Sequence, residues 1–105
     1  MMDVNKENFD RLVLQDPGLV VVDFWSPKCE PCLAMEEDLE FLASGYAGRL
    51  TFARCNILEN RRLALGQRVL GVPALVIYRA GEKLWQGATL EELENQLAHI
   101  LGQGR

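Results

Sequence analysis

The sequence predicts an α/β fold in which a central mixed β-sheet is flanked by helices on both faces. Strand-like and helix-like segments alternate along most of the chain, and the first strand-like segment is a continuous apolar run typical of a buried parallel sheet. A hairpin signal then follows, and it adds antiparallel strands to the sheet. An amphipathic helix closes the chain. We expect the 105 residues to form a single domain, residues 1–105.

The first part of the chain predicts a short helix and a buried strand. Residues 5–15 place apolar side chains on one face after an Asn5 cap, and the Asp-Pro-Gly turn at 16–18 ends this helix. Residues 19–25 form a continuous β-branched and aromatic run, which indicates a strand buried on both faces. Residues 26–28, Ser-Pro-Lys, break that strand.

A longer helix is predicted from Cys29 to Gly45, because apolar residues recur there at three- and four-residue steps. These residues are Leu33, Met35, Leu39, Phe41 and Leu42. Residues 50–57 predict a second strand, and residues 59–69 predict a second crossover helix.

The last third of the chain predicts a hairpin and a closing helix. Residues 73–78 form a third apolar strand, which a turn at Ala80-Gly81 joins to a hairpin partner at 83–85. Residues 90–101 carry leucines on one face and predict the last helix.

The composition excludes several classes of function. The formal net charge is −4 without any run of Lys and Arg, so neither nucleic acid nor a membrane surface is an expected partner. No stretch approaches the roughly 20 apolar residues of a membrane-spanning helix, and the polar N-terminus does not resemble a signal peptide. Three cysteines do not suit a framework of structural disulfides. We therefore expect a cytoplasmic protein, in which a Cys-x-x-Cys pair is catalytic or metal-binding.

The pair Cys29 and Cys32 lies where the buried strand gives way to the long helix. Residues three apart at a helix start face the same way, so their Cβ atoms can approach to the roughly 3.8 Å of a disulfide. Cys29 would lie at the helix mouth, where unpaired N–H groups favour a thiolate, and Cys32 would lie one turn inside. Pro31 suits the first turn, because it has no N–H to lose there. Cys29 is thus the candidate nucleophile and Cys32 the candidate resolving thiol.

Two other interpretations of the pair are unrelated cysteines and half of a zinc site. Structural zinc needs four ligands, and only Cys55 and His99 remain, on a predicted strand and on the last helix. We therefore expect no metal and no cofactor beyond the dithiol itself. Cys55 is expected to be a buried, inert thiol, and His99 to lie on the helix surface.

Four short motifs together resemble the thioredoxin family. They are Val-Val-Asp-Phe-Trp at 21–25, Cys-Glu-Pro-Cys at 29–32, Gly-Val-Pro at 71–73 and Gly-Glu at 81–82. Each motif is modest alone, but their joint order and spacing match the family over nearly the whole chain. The resemblance implies the thioredoxin fold and thiol–disulfide exchange with protein disulfides through Cys29 and Cys32.

The resemblance also implies roles for neighbours of the dithiol. Asp23 matches an aspartate that assists proton transfer at the inner cysteine, and a carboxyl in so apolar a run should have a raised pKa. The alternative is a strand-end aspartate that is hydrogen-bonded to backbone or water. Pro73 matches a cis proline beside the dithiol, which would leave the Val72 backbone to pair with an extended substrate. Trp25 would flank the dithiol as an apolar contact, although core filling fits it nearly as well.

Three positions depart from the usual thioredoxin pattern. Lys28 replaces a tryptophan and Glu30 replaces a glycine; the first charge favours the Cys29 thiolate and the second opposes it. Arg54 falls where many thioredoxins place a lysine near the buried aspartate, and a guanidinium would hold Asp23 ionised more firmly. These departures bring recognition by the usual reductase into question.

We therefore predict a monomeric protein-disulfide reductase that carries electrons from a thioredoxin reductase, or another dithiol donor, to protein disulfides. Two alternatives stay open. One is a redox-silent binding module of the same fold that holds a partner at Trp25, Val72 and Pro73. The other is a dithiol carrier dedicated to one partner enzyme. The presence of both cysteines favours an active dithiol over the silent module.

Overall fold

A five-stranded sheet in the order β1-β3-β2-β4-β5 forms the centre of the computed structural model, which describes residues 1–102. The strands are β1 (Met2–Asp3), β2 (Leu19–Trp25), β3 (Thr51–Asn56), β4 (Ala74–Arg79) and β5 (Glu82–Gly87). Strands β1, β3 and β2 are parallel, whereas β4 and β5 are each antiparallel to their neighbours. The predicted mixed sheet is confirmed.

Helical segments cover both faces of the sheet, as the sequence predicts. They are a short π-helical segment (Asp10–Leu14), α1 (Glu30–Gly45), α2 (Arg61–Gly66) and α3 (Leu90–Gly102). Helices α1 and α3 pack on the face that carries Val21 and Phe52, and the π-helical segment and α2 pack on the face that carries Val22 and Cys55. Within residues 1–102, no helix has the length and apolar character needed to cross a bilayer.

Strand β2 is buried because it is the central strand. It pairs with β3 on one side and with β4 on the other, so its backbone groups are bonded within the sheet. Its side chains alternate between two faces that helices cover, and every residue from Val20 to Phe24 is at most 2% exposed. The continuous apolar run therefore carries one polar residue, Asp23, into the interior.

The first predicted helix is shorter than residues 5–15. The Asn5 cap is confirmed, because Asn5 Oδ1 accepts a hydrogen bond from the Asn8 N–H and Asn8 Oδ1 accepts one from the Asn5 N–H. The following segment widens into a π-helical turn, in which the Gln15 N–H donates to the Asp10 carbonyl at 2.9 Å. The wider turn still buries Val13 against the sheet.

The helix predicted over 59–69 spans only Arg61–Gly66. Arg68 adopts a left-handed conformation with φ of 62°, and the Val69 N–H donates to the Ala64 carbonyl at 2.9 Å. These are features of a Schellman ending, in which the left-handed residue is most often glycine. The helix end was missed because an arginine occupies that position.

The core face of α1 differs from the apolar pattern read from the sequence. Leu39 is fully buried and Met35 and Leu42 are partly buried, but Leu33 is 45% and Phe41 81% exposed. Each helical residue advances by about 100°, so Phe41 lies about 200° around the helix from Leu39. Phe41 and Leu33 are therefore surface residues, although both belong to the apolar pattern from which the helix was predicted.

The hairpin at Ala80-Gly81 is confirmed, and its second strand is longer than the predicted 83–85. Both turn residues have positive φ, 51° for Ala80 and 82° for Gly81, as a two-residue type I′ turn requires. A Cβ on Gly81 would lie 2.9 Å from the Leu14 carbonyl oxygen, so space as well as conformation requires glycine there.

We expect Leu39→Ala to lower the free energy of unfolding by about 2–5 kcal/mol, because it leaves a cavity beneath α1 at a fully buried position. Phe41→Ala is the matched control on the same helix, and it should change this free energy by no more than about 0.5 kcal/mol. Urea unfolding of both variants measures the difference. Equal losses would contradict the placement of α1 on the sheet.

Candidate active site

Cys29 and Cys32 form a disulfide at the junction of β2 and α1, with their Cα atoms 5.2 Å apart. Cys29 is the N-cap of α1, and its Sγ accepts a hydrogen bond from the Cys32 N–H at 3.2 Å. Pro31 occupies the first turn. The sulfur of Cys29 therefore lies at the unpaired N–H groups of the helix start, an environment that favours a thiolate.

The two cysteines of the disulfide differ in exposure. Cys32 is only 3% exposed, whereas Cys29 is half-buried and borders a shallow surface groove. The groove is lined by Ser26, Lys28, Cys29, Glu30, Pro31 and Val72. A partner that enters the groove meets Cys29 before Cys32.

Ser26 shapes the turn between β2 and the dithiol, and the sequence analysis did not single it out. The residue is 5% exposed; its carbonyl accepts a hydrogen bond from the Cys29 N–H at 3.0 Å, and its Oγ accepts one from the Lys28 N–H at 3.1 Å. A serine directly after a strand and before a proline is a signal for such a hydroxyl-bonded turn. The turn holds Cys29 at the helix start.

The remaining predicted contact residues do not all reach the groove. The Val72–Pro73 peptide bond is cis, as the resemblance implies, and Val72 lines the groove with Cys29. Trp25 is half-buried and does not line it. Its ring lies beneath the guanidinium of Arg54, whose Cζ is 4.0 Å from the ring centroid.

Asp23 is 2% exposed, near the carboxyl end of β2. Its Oδ1 has no hydrogen-bond partner among residues 1–102. Burial raises the pKa of Asp23 from 3.8 to about 6; the nearby Arg54 charge lowers this pKa and the Glu36 charge raises it. The predicted direction of the shift is confirmed, and the side chain changes its protonation state close to neutral pH.

Arg54 is the direct strand neighbour of Asp23, since the two residues are paired in register between β3 and β2. The predicted proximity is therefore confirmed, and the guanidinium lowers the pKa of Asp23 in the predicted direction, although burial has the larger effect. Arg54 Nη1 lies 3.2 Å from Glu36 Oε1 on α1. Glu36 was missed by the sequence analysis; its spacing from Cys32 and Leu39, four and three residues, was the available signal.

Cys55 is a free thiol with 0% exposure on the sheet face opposite Asp23. Burial raises the pKa of this thiol to about 11, so it is protonated at neutral pH. His99 is exposed on α3, as predicted. The described part of the chain contains no group of three or more His, Cys, Asp or Glu side chains that could hold a metal ion.

Comparison with known proteins agrees with this geometry. The family model described as Thioredoxin matches residues 1–101. The chain belongs to the thioredoxin family. It is 35% identical over 106 residues to a thioredoxin of Peptoclostridium acidaminophilum, a match that covers 97% of this chain and 96% of that protein. It is also 39% identical over 84 residues to a thioredoxin of Acetoanaerobium sticklandii, which covers 80% of each.

A third relative also matches nearly the whole chain. A thioredoxin of Alicyclobacillus acidocaldarius is 32% identical over 103 residues, 95% of this chain and 97% of that protein. With a cysteine pair joined as a disulfide at the start of α1, the chain is a thiol–disulfide oxidoreductase, a disulfide reductase of the thioredoxin type. Membership of the family implies protein disulfides as substrates and a reductase as electron donor.

We expect native, oxidised protein to show no thiol that reacts with an alkylating reagent, and denatured, oxidised protein to show one. The reason is that Cys29 and Cys32 are joined while Cys55 is buried and protonated. Reduced and denatured protein should show three reactive thiols, because Cys29 and Cys32 are then free as well as Cys55. Mass measurement after alkylation counts the thiols, and Cys55→Ser is the control that should leave none in the oxidised chain. Rapid labelling of Cys55 in the native protein would contradict its placement.

Proposed function

We propose that this chain reduces protein disulfides by attack of Cys29 and resolution by Cys32. The Cys29 thiolate attacks one sulfur of the substrate disulfide; that bond breaks, and the other substrate sulfur leaves as a thiolate. Cys32 then loses its proton and attacks Cys29 Sγ, which releases the second substrate thiolate and forms the Cys29–Cys32 disulfide. Two electrons pass to the substrate. The observation that carries this assignment is the half-exposed position of Cys29 at the N-cap against 3% exposure of Cys32.

We propose that Asp23 accepts the proton that Cys32 loses. Two observations support this role. Its carboxyl is buried in the strand that leads into the dithiol, and its pKa of about 6 lets it hold or release a proton near neutral pH. A carboxylate with an ordinary pKa near 4 would be a weaker base for a thiol.

Val72, Pro73 and Trp25 are the proposed substrate contacts. Val72 lines the groove beside Cys29, which supports pairing of its backbone with an extended substrate segment. Pro73 lies between Val72 and the first residue of β4. Trp25 does not line the groove, so its contact with substrate is confined to the part of its ring that Arg54 leaves open.

The setting of the reaction is also a proposal. We propose a monomer in the cytoplasm that accepts electrons from a thioredoxin reductase or another dithiol donor; a reducing compartment suits a chain with one dithiol and one unpaired cysteine. The exposed charges of Lys28 and Glu30 on the groove support a second candidate, a carrier dedicated to one partner enzyme with complementary charge.

We expect Cys32→Ser to trap mixed disulfides with protein partners, and Cys29→Ser to trap none, because only Cys29 attacks and only Cys32 releases the partner. Both variants should lose the ability to reduce insulin disulfides. Cys55→Ser is the control, and it should reduce insulin as the wild type does and trap nothing. Non-reducing gels of the mixtures, with and without dithiothreitol, measure the trapping. Equal trapping by Cys29→Ser and Cys32→Ser would show that the two roles are wrongly assigned.

A further inference from the structure

Arg54, Glu36 and Trp25 form a cluster beside Asp23, and the proposed reaction steps give Arg54 and Glu36 no role. Arg54 extends from β3, with its Nη1 3.2 Å from Oε1 of Glu36 and its Cζ 4.0 Å from the centroid of the Trp25 ring. The side chain of Arg54 is 16% exposed and that of Glu36 is 40% exposed. The guanidinium is thus held between an aromatic face and a carboxylate, and largely shielded from water.

Glu36 lies on the side of α1 that carries its two buried residues, although its own side chain is 40% exposed. It lies four residues after Cys32 and three before Leu39, and these two are the buried residues of the helix. Met35 and Leu42, the neighbours of this stripe, also pack on the sheet face that carries Val21. Glu36 therefore interrupts an otherwise apolar stripe, one turn after the inner cysteine, and its carboxylate reaches Arg54.

The orientation of the Arg54 side chain affects the ionisation of Asp23. The two residues are register partners on adjacent strands, yet within residues 1–102 Asp23 Oδ1 has no hydrogen-bond partner, and neither has Arg54 Nε. A guanidinium that turned to the buried carboxylate would form a strong ion pair in a region of low dielectric constant. Such a pair would hold Asp23 ionised and make it a poor proton acceptor.

We propose that Glu36 is a positioning residue for proton transfer by Asp23: it holds Arg54 on the Trp25 ring and balances its charge, so that Asp23 is free to take a proton from Cys32. This inference rests on the proposed role of Asp23. The charged groups that act on Asp23 are Arg54 from β3 and Glu36 from α1, and the buried Cys32 at the start of α1 is a thiol in the reduced protein. Strand β4 contributes Leu75, which carries no charge. The opposite effects of Arg54 and Glu36 on the pKa of Asp23 agree with this arrangement.

The test measures the resolving step alone. Reduced protein is mixed in a stopped-flow instrument with dithiobis(nitrobenzoate), an aromatic disulfide that releases a coloured thiolate. The first release follows attack by Cys29 and depends on reagent concentration. The second release follows attack by Cys32 on the mixed disulfide and does not. The rate of this second phase should rise with pH as Asp23 becomes a carboxylate, and Asp23→Asn should abolish that rise.

We expect Glu36→Gln to move the midpoint of the rise to lower pH by about one unit, because an unbalanced Arg54 charge favours the carboxylate. Its plateau rate should fall, since the weaker base removes the Cys32 proton less readily. Glu37→Gln is the matched control, because it removes the same charge from an exposed neighbouring position on α1. It should change neither the midpoint nor the plateau rate. Glu36→Asp, which keeps the charge, should restore much of the wild-type midpoint.

A second background separates positioning from a direct effect of the Glu36 charge. In Arg54→Met protein, Glu36→Gln should move the midpoint by less than half as much as it does in the wild type. An equal shift in both backgrounds would overturn the action of Glu36 through Arg54. An unmoved midpoint in Glu36→Gln, with the rise still lost in Asp23→Asn, would overturn the role of Glu36 alone. A rise that survives in Asp23→Asn would instead overturn the proposed function of Asp23.

Discussion

A carboxyl group buried in the central strand is the constraint around which the active site is arranged. Strand β2 has neighbours on both edges and helices over both faces, so Asp23 is 2% exposed. Burial raises its pKa to about 6, which means that folding takes up a proton between pH 3.8 and about 6. Below the unfolded pKa of 3.8 this group carries no penalty; as pH rises from 3.8 to about 6 it destabilises the folded state increasingly, and above about 6 the penalty stays constant. Arg54, whose charge lowers this pKa, offsets part of that penalty.

The turn that follows β2 gives the two cysteines of the disulfide different positions. Because the Ser26 carbonyl accepts a hydrogen bond from the Cys29 N–H, the chain turns directly into α1 and leaves Cys29 as the N-cap. Cys32 is then one turn inside the helix, on the stripe that Leu39 continues into the core. One local turn therefore leaves Cys29 at the surface groove and moves Cys32 into the interior.

Sequence alone predicted the features that depend on strong local patterns. The run at 19–25, the dithiol at the helix start and the hairpin at Ala80-Gly81 follow from such patterns, whereas the proximity of Asp23 and Arg54 was implied by the resemblance to the thioredoxin family. The failures have a common cause. Helix ends and helix faces depend on which side meets the sheet, so the apolar pattern that predicted α1 includes Phe41, which is 81% exposed. Glu36, a charged residue, was overlooked although its carboxylate lies 3.2 Å from Nη1 of Arg54.

The central claim, that burial sets the ionisation of Asp23, is tested most directly by a carbon-13 NMR titration of its side-chain carboxyl. The oxidised protein is the right sample, because the disulfide removes the coupled titration of the two thiols. Burial of the carboxyl should give a midpoint of about 6, with the carboxyl protonated below it and ionised above it. A midpoint near 4, the ordinary value for an aspartate, would contradict the account.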